Sequence, residues 1–154
     1  MLDPRDRRIL ALLQADSETP VTNLAERVAL SVSACSRRIQ RLREDGTIAR
    51  CVAVLDRKRM GVPTTVFVLI RSGRHAADWV EGFRAAIADV PEIVEAHRLT
   101  GNFDYLLKLV LPNVEHYDVV YKGLTRRLEL FDVAAYISME TLKLETAVPT
   151  EHAP

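Results

Sequence analysis

A chain of 154 residues, 48% hydrophobic and 27% charged, has ordinary globular usage and room for one domain or two small ones. No run approaches the roughly 20 apolar residues of a membrane helix, and the start Leu2-Asp3-Pro4-Arg5-Asp6-Arg7-Arg8 lacks the apolar core of a signal peptide. Cys35 and Cys51 are too few for a disulfide scaffold, so a soluble, cytoplasmic protein is expected.

The formal net charge of zero hides an asymmetry: residues 1–60 carry 12 Lys and Arg against 8 Asp and Glu, the remainder 9 against 13. This is either two modules with different partners, the front one suited to a polyanion, or an accident of solvated surface. Three helical patterns follow. Asp3-Pro4, an N-cap acid before a proline at the first helical position, opens the first, whose apolar residues Ile9, Leu10, Leu12 and Leu13 run to about Gln14. After Pro20, residues Thr22 to Val28 make a short second helix. Ala29-Leu30-Ser31 is the connection, Ser31 caps a third helix over Val32–Glu44, and Gly46 ends it with a left-handed turn.

The third helix carries the chemistry. At 3.6 residues per turn, Val32, Cys35, Ile39 and Leu42 form the packed side, while Ser33, Arg37, Gln40, Arg41 and Glu44 face outward with Ser36 and Arg38 on the flanks. Four arginines and no acid occur between Ser31 and Arg43. A helix, a short turn and a helix showing Arg, Gln and Ser make a helix-turn-helix, because one helix fits the major groove, where Arg bridges guanine acceptors and Gln pairs with adenine. The bland alternative is an arginine-rich solvated face. Candidate DNA contacts are therefore Ser33, Ser36, Arg37, Arg38, Gln40, Arg41 and Arg43, with Arg38 and Arg43 on phosphates.

Residues Thr47 to Asp56 are β-prone and read as a wing or connecting strand, followed by a basic hinge from Asp56 to Pro63. The back of the chain alternates: a strand at Thr65–Ile70, a helix from Ala76 to Asp89, a strand at Ile93–Thr100, a two-residue Gly101-Asn102 hairpin, a strand at Phe103–Leu111, a helix capped by Asn113, and a closing strand from Val133 to Leu144. The βαββαβ order is the ferredoxin-like arrangement, two helices on one face of an antiparallel sheet. Its other face has no helix to cover it, so this module is expected to dimerise. The four histidines, His75, His97, His116 and His152, lack metal-ligand spacing, and no phosphate loop or nucleophile elbow occurs. The reading is no enzyme, no metal and no cofactor.

Residues 2–148 resemble the Lrp/AsnC family of feast/famine regulators. The likeness rests on Leu2-Asp3…Asp6-Arg7-Arg8-Ile9-Leu10, on Asn23-Leu24-Ala25-Glu26-Arg27-Val28, and on Arg37-Arg38-Ile39-Gln40-Arg41-Leu42…Gly46-Thr47-Ile48. Its most specific stretch is Leu99-Thr100-Gly101-Asn102-Phe103-Asp104-Tyr105-Leu106-Leu107-Lys108, followed by Ser138-Met139-Glu140. The resemblance implies an α+β protein with an N-terminal winged helix-turn-helix and a C-terminal ferredoxin-like, ligand-sensing domain. It implies dimers, often four in a ring (an octamer), with an amino acid or related small molecule held between dimers. By position, Thr100, Gly101, Asn102 and Asp104 belong to the effector pocket, with Ala134 and Tyr136 arriving from a neighbouring subunit. Where the family has a Pro-Gly-Val-like turn, this chain reads Leu128-Glu129-Leu130-Phe131-Asp132-Val133.

The expected organisation is a DNA-binding domain over residues 1–50 with its helix-turn-helix at about 21–40, a connecting strand and hinge over 51–63, an effector-binding and oligomerisation domain over 64–148, and a tail over 149–154. The expected function is sequence-specific regulation of transcription on double-stranded DNA, modulated by an amino acid. Alternatives are an architectural, DNA-wrapping protein without an effector switch, and a small-molecule-binding or enzymatic ferredoxin-like protein whose basic helix is incidental.

Overall fold

The computed structural model describes residues 1–73 and 77–152. Its contacts divide the chain into two compact units: Met1–Ala53 together with the segment that starts at Lys143, and Val54–Leu142.

In the front unit, α1 (Pro4–Ala15), α2 (Val21–Arg27) and α3 (Val32–Glu44) begin where the capping chemistry places them. The Asp6 N–H donates to Asp3 Oδ1 at 2.8 Å and the Asp3 N–H donates to Asp6 Oδ2 at 3.2 Å, a reciprocal capping box. Ser31 Oγ accepts from the Ala34 N–H at 3.2 Å and starts α3. Ile9 and Leu12 of α1, Leu24, Ala25 and Val28 around α2, and Cys35, Ile39 and Leu42 of α3 bury one another. Val32, expected on that packed side, is 48% exposed, because as the first residue of α3 it lies beyond the reach of α1 and α2.

The α2–α3 turn is a Schellman motif: the Leu30 N–H donates to Ala25 O at 2.9 Å and the Ala29 N–H to Glu26 O at 3.2 Å. Ala29 sits at φ +51, a left-handed conformation that disfavours any residue with a Cβ. Ala29→Gly is therefore expected to stabilise the front unit by about 1 kcal/mol, read as a higher thermal midpoint. A lower midpoint would contradict it.

One expectation about this unit is corrected. The β-prone run after α3 pairs with no strand among the described residues, and Val52, Val54 and Leu55 are accordingly exposed. From Asp56 a turn forms instead, Asp56 Oδ1 accepting from the Lys58 and Arg59 N–H groups. The segment that starts at Lys143 makes its contacts with this unit: Gln14 Nε2 donates to Val148 O at 3.0 Å, and the Val148 N–H returns to Gln14 Oε1 at 2.7 Å.

The back unit contains β1 (Thr64–Arg71), α4 (Ala77–Ala88), β2 (Ile93–Arg98), β3 (Tyr105–Leu111), α5 (His116–Thr125) and β4 (Asp132–Ile137). The residue before α4, Ala76, at which that helix was expected to start, lies outside the described residues. The sheet is antiparallel in the order β2-β3-β1-β4, the ferredoxin-like arrangement. Alternation along β1 and β3 sends Val66, Val68, Ile70, Leu107 and Leu109 toward Phe83 of α4 and Val120 and Leu124 of α5. Truncating a buried leucine such as these costs about 2–5 kcal/mol. Trp79, Phe83 and Tyr105 stack at one end, with Phe83 and Tyr105 centroids 4.5 Å apart.

Two boundaries moved. The closing strand ends at Ile137 rather than Leu144: the Ser138 N–H still donates to Thr65 O, but beyond Thr64 the partner is Pro63, which has no N–H to give. The β2–β3 connection is not a two-residue hairpin but the six residues from Leu99 to Asp104, closed by the Leu99 N–H on Asp104 O at 2.7 Å. The Asp104 N–H turns away to Ile70 O of β1 at 2.9 Å, so pairing with β2 stops one residue later, at Tyr105. On the sheet face away from the helices, cross-strand pairs put Phe67 beside Tyr136 and Leu69 beside Ala134, and Tyr136 is 55% exposed.

Candidate DNA interface and effector turn

The outward side of α3 sorts its arginines into two kinds. Ser33, Ser36, Arg37, Gln40, Arg41 and Arg43 are exposed and Arg38 is half-buried. Ser36, Gln40 and Arg43 line, with Ser17 and Thr19, one cleft of about 280 Å³ between α3 and the start of α2. Among the described residues no acid lies within ion-pair distance of Arg37 or Arg43. Gln40 Nε2 donates to Glu44 Oε1 at 2.8 Å, which extends the amide along the helix surface.

Arg38 and Arg41 differ. Arg38 Nη1 donates to Asp6 Oδ1 at 2.8 Å and to Asp3 Oδ2 at 2.5 Å, while Arg41 Nη2 donates to Asp6 Oδ2 at 2.6 Å. Both guanidinium groups, expected on DNA, hold α3 to α1 in this structure. Burial alone would raise the Asp6 carboxyl, but the hydrogen bonds from Arg38 and Arg41 outweigh it and leave it below the usual carboxylate range. The Asp6 N–H and then Arg38 lower Asp3 in the same way.

A carboxyl with a depressed folded pKa contributes stability that is present above the unfolded value and lost as pH falls through the folded one. The front unit is thus expected to loosen as pH drops below about 4. Asp3→Asn should flatten that acid loss, measured as thermal midpoint against pH. Parallel curves for wild type and Asp3→Asn would contradict it.

At the other unit, Thr100, Gly101 and Asn102 are exposed and Asp104 is half-buried, so the turn brings these four together. Gly101 takes φ +113, open only to glycine at low cost, which leaves its backbone accessible. Asp104 Oδ2 accepts from the Ser72 N–H at 2.8 Å and from Ser72 Oγ at 3.1 Å, tying the turn to the end of β1. Arg71 Nε donates to Asn102 O at 2.7 Å and its guanidinium lies 5.5 Å from the Phe103 ring centroid. Ala134 and Tyr136 are not part of this cluster; they sit on β4, on the far side of β1 from β3. The divergent loop ends beside it, the Phe131 N–H donating to Arg71 O at 3.2 Å. Gly73, Trp79, Glu129, Leu130 and Phe131 line a hollow of about 220 Å³ there.

The sequence matches the winged helix-turn-helix DNA-binding family over residues 2–49 and the Lrp/AsnC ligand binding domain over residues 65–148. The chain belongs to the Lrp/AsnC family. It is a DNA-binding transcriptional regulator of that family. It is 58% identical over 152 residues to the HTH-type transcriptional regulator Zrp of Zymomonas mobilis, covering 99% of each chain. An AsnC family transcriptional regulator from Agrobacterium tumefaciens superposes with a TM-score of 0.96 at 40% identity, covering 99% of this chain and 100% of that one. A transcriptional regulator of Neisseria meningitidis, solved as a complex with L-Met, superposes with a TM-score of 0.93 at 29% identity, covering 99% of both.

The Lrp/AsnC frame leaves the other titratable groups outside these two clusters. His116 pairs with Glu92 at 3.1 Å and His97 lies 3.7 Å from Glu95, which Lys108 also holds. His75 lies outside the described residues. Among the described residues no three His, Cys, Asp or Glu groups come together to hold a metal, and no helix is long and apolar enough to cross a membrane. Cys35 is buried, which pushes its thiol up, and Cys51 is exposed. The contacts that sequence reasoning missed are those of Asp6, quoted only within the stretch that opens the first helix, with Arg38 and Arg41, and those of Arg71 and Ser72 with the turn.

Proposed function

We propose that this chain regulates transcription by laying α3 in the major groove, with Arg37 and Gln40 on base edges and Ser33, Ser36 and Arg43 beside them. The observation that carries this reading is the pair of guanidinium groups, Arg37 and Arg43, that meet no acid among the described residues and flank Gln40 on an exposed helix face. Arg38 and Arg41 act as fasteners of that helix. Residues 51–63 connect the DNA-binding and ligand-binding domains.

An amino acid or related molecule bound at Thr100, Gly101, Asn102 and Asp104 modulates the binding. The exposed backbone at Gly101 supports a carboxylate site, and the L-Met complex of the Neisseria relative supports an amino acid as the ligand class. The uncovered face with Phe67, Leu69, Ala134 and Tyr136 supports a second copy as its cover, and rings of dimers would bring Ala134 and Tyr136 of a neighbour near the turn. In this reading the protein works in the cytoplasm and catalyses nothing.

Scanning the full chain for thermal stabilisation by each standard amino acid, with and without DNA, tests it. One or a few amino acids should raise the midpoint in a concentration-dependent way, as ligand linkage requires. No response to any of them, with DNA bound normally, would favour the architectural alternative.

A further inference from the structure

We propose that Asp6 is a positioning residue of DNA recognition that withholds Arg38 and Arg41 from the phosphate backbone. This rests on the DNA-binding reading of α3. Asp6 is 1% exposed, and its two oxygens divide between two arginines of another helix, Oδ1 to Arg38 and Oδ2 to Arg41. Asp3 adds a second carboxylate to Arg38. The capping box alone does not call for this. Its reciprocal contact is the Asp3 N–H on Asp6 Oδ2, which an uncharged glutamine at the same position also makes. A buried carboxylate is costly unless paired, so its presence here is tied to the two guanidinium groups it faces.

The consequence is electrostatic. Of four arginines on α3, two meet an acid of α1 and two do not. Sequence-independent affinity grows with the number of phosphates that cations neutralise, whereas discrimination comes from base-edge contacts. Holding Arg38 and Arg41 on Asp6 lowers the first while leaving Arg37 and Gln40 to supply the second. The spacing of 38 and 41 puts both on one flank of α3, so the same clip sets the rotation of the helix about its axis. Asp6 thereby raises the ratio of specific to non-specific binding.

The test is the salt dependence of binding to a mixed-sequence duplex, using the full chain with Asp6→Asn. Each arginine released to a phosphate should steepen the slope of log affinity against log salt by about 0.9. Between about 50 and about 200 mM salt that is roughly a threefold greater loss of affinity per arginine. Adding Arg38→Gln and Arg41→Gln to Asp6→Asn should return the slope to wild type. A purely structural Asp6 would weaken binding without steepening the slope, and a folded Asp6→Asn chain with the wild-type slope would overturn the proposal. If Asp6→Asn does not fold, Arg38→Gln alone decides. An unchanged slope supports a withheld arginine, and a slope flattened by about 0.9 overturns it. Wild type that fails to bind the duplex at all would overturn the DNA reading and this inference together.

Discussion

Arg37→Ala is expected to weaken operator binding and to flatten base preference, by about 1–3 kcal/mol at the contacted position. Arg37 is exposed on α3 and, among the described residues, has no acid within ion-pair distance, so its fork is available to guanine O6 and N7. Lysine should not rescue it, because a point charge cannot reproduce the bidentate geometry. Selecting preferred sequences from a random pool, then measuring wild type and mutant on selected and scrambled duplexes, checks the effect. Equal discrimination in both proteins would remove Arg37 from the base-reading role, whatever the loss in overall affinity.

Asp104→Ala is expected to have a double effect. The resemblance places the residue in the effector pocket, but its Oδ2 also accepts from the Ser72 N–H and hydroxyl. Removing it leaves the backbone donor of buried Ser72 without its acceptor, which costs about 1–3 kcal/mol. The ligand-binding domain should therefore melt earlier, and any amino-acid response should disappear. Asp104→Asn separates the two: its carboxamide oxygen still accepts from Ser72 and the fold holds, whereas the charge that would attract a ligand ammonium is gone. Calorimetry with the stabilising amino acid on both mutants checks this. Wild-type ligand affinity in Asp104→Asn would reduce Asp104 to a fastener of the turn.

The part of the fold legible in the sequence is the part governed by local chemistry. Asp3-Pro4 and Ser31 announce helix starts because a side-chain oxygen beside a free N–H is a short-range event. The spacing of Ile9, Leu12, Cys35, Ile39 and Leu42 marked the front core for the same reason. The βαββαβ order followed from alternation and punctuation. Tertiary partners were invisible. Nothing near Arg38 tells that its counter-ion is Asp6, 32 positions earlier on another helix. Gly101-Asn102 has the composition of a tight hairpin, but the Asp104 N–H bond to Ile70 widens it. Pro63 stops β4 from across the sheet, where no reading of residues 138–144 could find it. The Arg71–Asn102 contact is likewise a meeting of a strand end with a distant turn, with no signal in either.

Footprinting over a stretch of DNA with several binding sites, with and without the stabilising amino acid, tests the central claim most directly. The account predicts regularly spaced protection that shifts or changes occupancy when the amino acid is added, and that fails when Arg37 and Arg43 are neutralised together. Continuous protection that ignores both the amino acid and the loss of those arginines would contradict it.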